Sequence, residues 1–389
     1  MTAPPFSRRD ITLANWREWP FNRWTFHNVS EFVPTAQIAC GMETGADTPG
    51  LGALDGMVLT AADGTKTSPA GHFEASHGDC FVALRDGRIV AEWNAPHGST
   101  VQPHLVFSIS KSVTGMMAGI AIADGALDET APVSRYVPVP SHSAYAEATV
   151  RDLLDMTVSL GFEENYLDLE GDFDRYRRAT QWNPERPGTR HELMEDVIAS
   201  LPKAAGPHGK VFAYASPNTD MLGLVIERAT GTRFHSFLAE RLWKPIGARG
   251  PAYVTVDRVG SGRAAGGMCL TARDLARFGE CVLKGGRGAD GGQIVPAGWV
   301  DDMRRNGDRA AWMAGNFAAT FPAGRYRSCW YQLGDQRDAF VGDGIHGQRL
   351  YIDPIANIVL VKYSSDPLPS DEPGTIADFA MLAQIAQQL

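Results

Sequence analysis

Two serines in this 389-residue chain stand three positions before a lysine, in Ser108-Ile109-Ser110-Lys111 and in Ser200-Leu201-Pro202-Lys203. Such a pair could do nucleophilic chemistry. A serine hydroxyl attacks a carbonyl only when a base takes its proton, and a lysine amine becomes that base once burial disfavours its charged form. On a helix, residues three apart share a face. The second pair has Pro202 inside it and Ala204-Ala205-Gly206-Pro207 after it, which marks a solvated loop. Ser108 instead heads a run with Val113, Met116, Met117, Ile120 and Ala121 at helical spacing, closed by Gly125. The N-terminus of such a helix offers unpaired N–H groups and a positive dipole end, both favourable to an oxyanion. These residues alone leave a second reading open, in which Ser108 is an ordinary N-cap and Lys111 a surface lysine with its head in water.

Other elements must position the pair. Phe81-Val82-Ala83-Leu84 and Ile89-Val90-Ala91 flank an Asp86-Gly87 turn and predict a β-hairpin. Thr149-Val150-Arg151-Asp152 has the Thr-x-x-Asp form of a helix start, and the chain reads as mainly helical from there to about residue 245, including 218–230 before Gly231. A further helix starts at Thr271 with Leu275 and Phe278 on one face. Strand candidates follow at 329–333, 348–352 and 357–363, with Asp353-Pro354 turning the last two, and 376–389 closes the chain as a helix. Residues 1–60 read as an extended lead-in that wraps a core built by later segments. The order predicts an α+β fold, an antiparallel sheet flanked by helices with a helical domain inserted. The expected division is 1–148 (with the nucleophile helix at 108–124), 149–245 and 246–389.

Composition narrows the function classes. With 36 Lys and Arg against 45 Asp and Glu, the net charge is −9 and the basic residues are scattered, so neither nucleic acid nor an anionic membrane surface is an expected partner. Five widely spaced cysteines with no C-x-x-C indicate neither a disulfide framework nor a zinc site. Ser7-Arg8-Arg9-Asp10 resembles part of a twin-arginine export signal, but the charged Asn15-Trp16-Arg17-Glu18-Trp19-Pro20 follows where an apolar core is needed. A cytoplasmic protein without cofactor or metal is expected, and a homodimer is compatible with the sequence. There is no Gly-x-Ser-x-Gly and no His-x-x-x-His.

The remaining motif is Tyr214-Ala215-Ser216-Pro217-Asn218, ahead of a helix. Together with Ser108-x-x-Lys111 it resembles the serine β-lactamase and DD-peptidase superfamily, whose second motif is Tyr-x-Asn; here Ser216 takes the third place. The superfamily's Lys-Thr-Gly is absent, and Gly342-Asp343-Gly344-Ile345-His346-Gly347-Gln348 stands where it would be. The lysine of that triplet helps bind the carboxylate of a β-lactam, so efficient penicillin hydrolysis is not expected. Glu163-Glu164-Asn165-Tyr166, the stretch from Tyr214 to Asp220, Gly266-Gly267 with Cys269 to Arg277, and Gly344 to Gln348 are similar to the 6-aminohexanoate-dimer hydrolases, relatives of family VIII carboxylesterases. The similarity runs from about residue 80 to the C-terminus.

Carried over by matching positions, the resemblance implies Ser108 as nucleophile, Lys111 and Tyr214 as its proton relay, and the N–H groups of Ser108 and Ile345 as oxyanion hole. Tyr166 matches a tyrosine that hydrogen-bonds the leaving nitrogen of amides. Trp182, Trp330 and Tyr331 are candidate pocket walls, Ser216 and Asn218 candidate substrate contacts, and His346 a pocket-edge residue. Beyond Tyr166, where nylon-oligomer hydrolases can supply a carboxylate for a substrate ammonium, this chain has Asp174-Arg175-Tyr176-Arg177-Arg178. Read as a cationic loop, it would repel an amine and attract a carboxylate. The expected function is a serine hydrolase acting on small carboxylic esters, with amides as a second substrate class. An acyltransferase using the same acyl-enzyme and an inactive ligand-binding homologue are the alternatives.

Overall fold

Asp86 and Gly87 both adopt positive φ (50° and 77°), the backbone of a tight hairpin turn, and join Gly78–Arg85 to Arg88–Asn94. The structure, a computed structural model, describes residues 6–41, 49–168 and 170–389. The hairpin is one edge of a seven-stranded antiparallel sheet that continues through Ile358–Ser364, Gln348–Asp353, Phe340–Gly344, Trp330–Gln332 and Arg325–Arg327. The three strand candidates lie within a residue of observed strands. Phe340–Gly344 and Arg325–Arg327 escape sequence reading because they are short and their glycines and arginines hide the alternation.

Ile358–Ser364 is buried along its whole length because helices cover both faces of the sheet. Its side chains alternate accordingly. Val359 meets the helix Ala272–Leu283, so closely that a Cβ on Gly279 would lie 2.5 Å from Val359 Cγ1. Lys362 points the other way, to Asp378 of the terminal helix Glu372–Gln388 at 3.1 Å.

The helix Ile109–Ala123 packs on the Ala272–Leu283 side and is buried at every residue from Ile109 to Ala121. Its close approach requires glycine: a Cβ on Gly115 would lie 2.3 Å from the Ser328 carbonyl oxygen. Across it packs Ser216–Thr230, which closes at Gly231 in the left-handed region with φ 64°. Thr149 and Asp152 form a reciprocal capping box at the head of Val150–Leu154.

Three expectations need correction. The block from 149 to 245 is helical only at Val150–Leu154, Asp172–Ala179, Met194–Ala199, Ser216–Thr230 and 234–243, because Gly161, Pro184, Pro187, Gly188, Pro202 and Pro207 break the stretches between. The lead-in does more than wrap the core, since its Thr35–Ile38 is an edge strand of a second sheet with Ala252–Thr255, Met268–Leu270 and His104–Leu105. Strands of two to four residues leave no period to read. The terminal helix begins at Glu372, four residues before the expected start, with Pro373 in its first turn. The Ser200-x-x-Lys203 pair is, as expected, outside the site: Lys203 pairs with exposed Glu147 at 2.7 Å.

Gly115→Ala should destabilise the fold by about 1–3 kcal/mol, because backbone rather than a flexible side chain stands in the way. Urea unfolding should show a lowered midpoint with unchanged slope; an unchanged midpoint would mean that the helix can move off the sheet freely.

Candidate active site

Ser108 makes no side-chain capping bond, which removes the N-cap alternative. Its Oγ instead accepts from the Tyr214 hydroxyl at 2.5 Å and lies 2.9 Å from Lys111 Nζ. Phe107, directly before it, has φ 45°, a conformation costly for a bulky residue. Phe26, His346 and Trp182 hold the Phe107 ring with centroids 5.0, 5.3 and 6.0 Å away. The lead-in thus braces the turn that presents Ser108.

Lys111 is almost wholly buried, with Nζ at 2.9 Å from Ser108 Oγ, 3.1 Å from Ser216 Oγ and 2.7 Å from the Ala265 carbonyl oxygen. The Ser216 hydroxyl proton is committed to Glu164 Oε1 at 2.8 Å, so Ser216 can only accept from the amine. The Ala265 carbonyl also only accepts. Of the three partners, Ser108 alone can donate a proton to a neutral Lys111. Burial brings the amine down to about 8 against the opposing pull of Glu164 and Asp220, so about a tenth of it is neutral at pH 7. Asp220 Oδ1 accepts from the Ala265 N–H at 2.7 Å, which anchors the residue whose carbonyl holds the amine. Burial, followed by the Glu164 charge, pushes the Tyr214 phenol well above its ordinary value, so it rests protonated.

Ser108, Tyr214, Tyr166 and Ile345 line a cleft of about 590 Å³ that also meets Phe317 and Tyr331. Ile345 follows the strand Phe340–Gly344 across the cleft from Ser108, and its position is set by His346 with φ 58°. The arrangement suits acyl transfer, with a serine hydroxyl, a buried amine, a phenol and a helix N-terminus converging on one opening.

The comparisons decide the family. Residues 71–384 match the β-lactamase family. The chain belongs to the β-lactamase family. A 6-aminohexanoate-dimer hydrolase from Paenarthrobacter ureafaciens is 35% identical over 366 residues, 94% of this chain and 91% of that one. Among solved structures, one from Bacillus anthracis named "Putative 6-aminohexanoate-dimer hydrolase" is 26% identical with a TM-score of 0.88, covering 98% of this chain and 97% of that one. A family VIII carboxylesterase, 16% identical with a TM-score of 0.58 over 81% of this chain and 95% of its own, shares the fold. The α+β architecture is the β-lactamase-like fold, and the chain is a hydrolase of this family.

Within this family member, the candidate residues separate. Ser108, Lys111, Tyr214 and Ser216 are one hydrogen-bonded unit, and Tyr166 joins it by donating to Glu164 Oε1 at 2.8 Å. Trp182 lines a small cavity beside Ser108 and donates to Thr255 Oγ1 at 3.1 Å. Asn218 is not a substrate contact, because it is fully buried and its Oδ1 accepts from Tyr145 at 3.0 Å. Trp330 is no pocket wall either: it is fully buried between Phe278 and Phe340. His346 is behind the cleft rather than at its edge, with Nδ1 2.7 Å from the Asp366 carbonyl, and burial lowers it to about 4, so it stays neutral.

The supposed cationic loop is the helix Asp172–Ala179, where Arg175 pairs with Glu192 and Arg178 with Asp174. Only Arg177 of that set lines a cavity at the site. Sequence reading missed the role of Glu164, which accepts from Ser216 N at 2.6 Å and from the hydroxyls of both Ser216 and Tyr166. Its place two residues before Tyr166 was the available signal.

Glu164→Gln removes the largest electrostatic support for the Lys111 ammonium, so the Lys111 value should fall. A base works when neutral, so kcat/KM of the wild type should rise with pH through about 8, and in the variant the rise should come at lower pH. A rise unmoved or displaced upward would mean that the profile reports another group.

Proposed function

We propose that the chain is a serine hydrolase that forms an acyl-enzyme on Ser108, cleaving small carboxylic esters and, as a second class, amides. The observation that carries this is the Ser108 hydroxyl placed 2.5 Å from Tyr214 and 2.9 Å from a buried lysine. Neutral Lys111 takes the Ser108 proton as Oγ bonds to the substrate carbonyl carbon. Charge developing on the carbonyl oxygen is met by the N–H groups of Ser108 and Ile345, each donor contributing on the order of 3 kcal/mol to lowering the barrier. Collapse breaks the bond to the leaving oxygen or nitrogen, which receives the Tyr214 proton, and the neighbouring Lys111 ammonium restores the phenol. Water then cleaves the acyl ester with the same pair as base.

Amide cleavage is supported by Tyr166. Its hydroxyl proton is committed to Glu164, which leaves the phenolic oxygen free to accept the N–H of a departing amide. The relative from Paenarthrobacter ureafaciens is named for such an amide substrate. We place the enzyme in the cytoplasm, a reading supported by five unpaired cysteines. Among the described residues no helix is long and apolar enough to cross a membrane.

A fluorophosphonate should add one phosphonyl group to the wild type and none to Ser108→Ala, read by intact mass; labelling of the variant would place the nucleophile elsewhere. Tyr214→Phe should lower turnover by about 10²–10⁴ with a smaller effect on KM, since the phenol acts on the leaving group. Tyr166→Phe should lower kcat/KM for an anilide more than for the matching phenyl ester, and equal losses would remove Tyr166 from the leaving-group role.

A further inference from the structure

Beside Ser108, adjoining the wide cleft with which it shares Ser108, Tyr166 and Ile345, is a small cavity also lined by Glu164 and three arginines, Arg17, Arg177 and Arg263. The arginines come from the lead-in, from the helix Asp172–Ala179 and from the loop before Met268–Leu270. Among the described residues none of the three forms an ion pair. Arg17 donates to the Trp182 carbonyl at 2.9 Å and to Asn183 Oδ1 at 2.5 Å. Arg177 donates to the Tyr166 carbonyl at 3.1 Å, and Arg263 to Thr180 Oγ1 at 3.2 Å. All of these acceptors are neutral. Arg263 and Arg177 are only 5% and 6% exposed, and Arg263 Nε has no partner at all.

Arg177 and Arg263 are buried and Arg17 half-buried; Asp174, Glu164 and Asp220 attract them from beyond ion-pair distance, but the three guanidiniums repel one another and forgo the bidentate carboxylate contacts their shape favours. The strain registers in Arg177, which burial and the Arg263 charge bring down to about 10. Aromatic rings carry part of the charge, with Arg263 3.7 Å above the Trp182 centroid and Arg177 4.1 Å from that of Phe173. The one carboxylate facing the cavity, Glu164, already accepts three hydrogen bonds from Ser216 and Tyr166. The free space of about 20 Å³ is close to the roughly 10–15 Å³ that one water needs, so only the tip of a ligand, such as a single carboxylate, reaches in.

We infer that this cavity is a subsite for a carboxylate at the far end of the substrate's acyl chain, with Arg17, Arg177 and Arg263 as its recognition residues. The inference rests on the acyl-enzyme at Ser108. The assignment to the acyl side follows from the proton donor: Tyr214, which protonates the leaving group, lines the wide cleft and not this cavity, so the part of the substrate that stays attached to Ser108 turns toward the arginines. The favoured substrates are then half-esters or half-amides of short dicarboxylic acids.

The test compares monoethyl esters of dicarboxylic acids of four to eight carbons with ethyl esters of the monocarboxylic acids of equal length. At one chain length or more, kcat/KM for the acid ester should exceed that for its neutral counterpart at least about tenfold, because a neutral chain leaves the guanidiniums unpaired. Arg263→Gln and Arg177→Gln should each reduce that ratio by about tenfold, and Arg263→Lys should restore part of it. Without any variant, the free dicarboxylate of the preferred length should compete with a neutral ester, and the matching monocarboxylate should compete at least about tenfold more weakly. Hydrolysis of neutral esters through Ser108 with no preference for any acid ester would overturn the subsite and leave the hydrolase standing. No ester turnover and no phosphonylation of Ser108 would overturn both.

Discussion

The site depends on one buried amine that faces more acceptors than it can donate to once it is neutral. Lys111 Nζ faces Ala265 O, Ser216 Oγ and Ser108 Oγ, and two of these can only accept. As an ammonium it satisfies all three. On losing a proton it retains two donors for the two fixed acceptors and turns its lone pair to Ser108. In the proposed mechanism the direction of proton transfer is therefore set by the commitment of the Ser216 hydroxyl to Glu164, several bonds from the reacting atoms. Ser216 stands where the superfamily motif has asparagine, and the Glu164 carboxylate makes the replacement workable by fixing which way its hydroxyl points.

The fold supplies this arrangement by burying it from several directions. Helix Ile109–Ala123 carries Ser108 and Lys111 on one face, and Ser216–Thr230 brings Ser216 and Asp220 across it. The loop through Ala265 adds the fixed carbonyl. Segments distant in sequence brace the nucleophile turn: Trp16 donates to the Trp182 carbonyl at 3.0 Å, and Phe26 packs on Phe107. A lead-in without readable periodicity thus holds the strained Phe107 next to Ser108. The same convergence brings Arg17, Arg177 and Arg263 to one cavity.

What was legible in the sequence was local. Ser108 and Lys111 are three residues apart on an apolar helix, Asp86-Gly87 fixes a turn by its own backbone preferences, and Thr149 with Asp152 caps a helix within four residues. Tyr214 became readable only through its resemblance to a family motif. Asn218 and Trp330 were misread because residue type does not tell which face of an element a side chain occupies; both point into the core. The short strands His104–Leu105 and Met268–Leu270 exist by virtue of their partners. No spacing rule joins positions 17, 177 and 263, so the arginine cluster is a property of the folded chain alone.

The central claim is that a neutral Lys111 amine takes the proton of Ser108. Its most direct test is the titration of the lysine ε-carbon resonances by ¹³C NMR, with Lys111→Met to assign the signal. One resonance, missing from the variant, should titrate at about 8. If the Lys111 resonance titrates in the ordinary range of about 10.4, the amine is a charged structural donor at working pH and the base must be sought elsewhere.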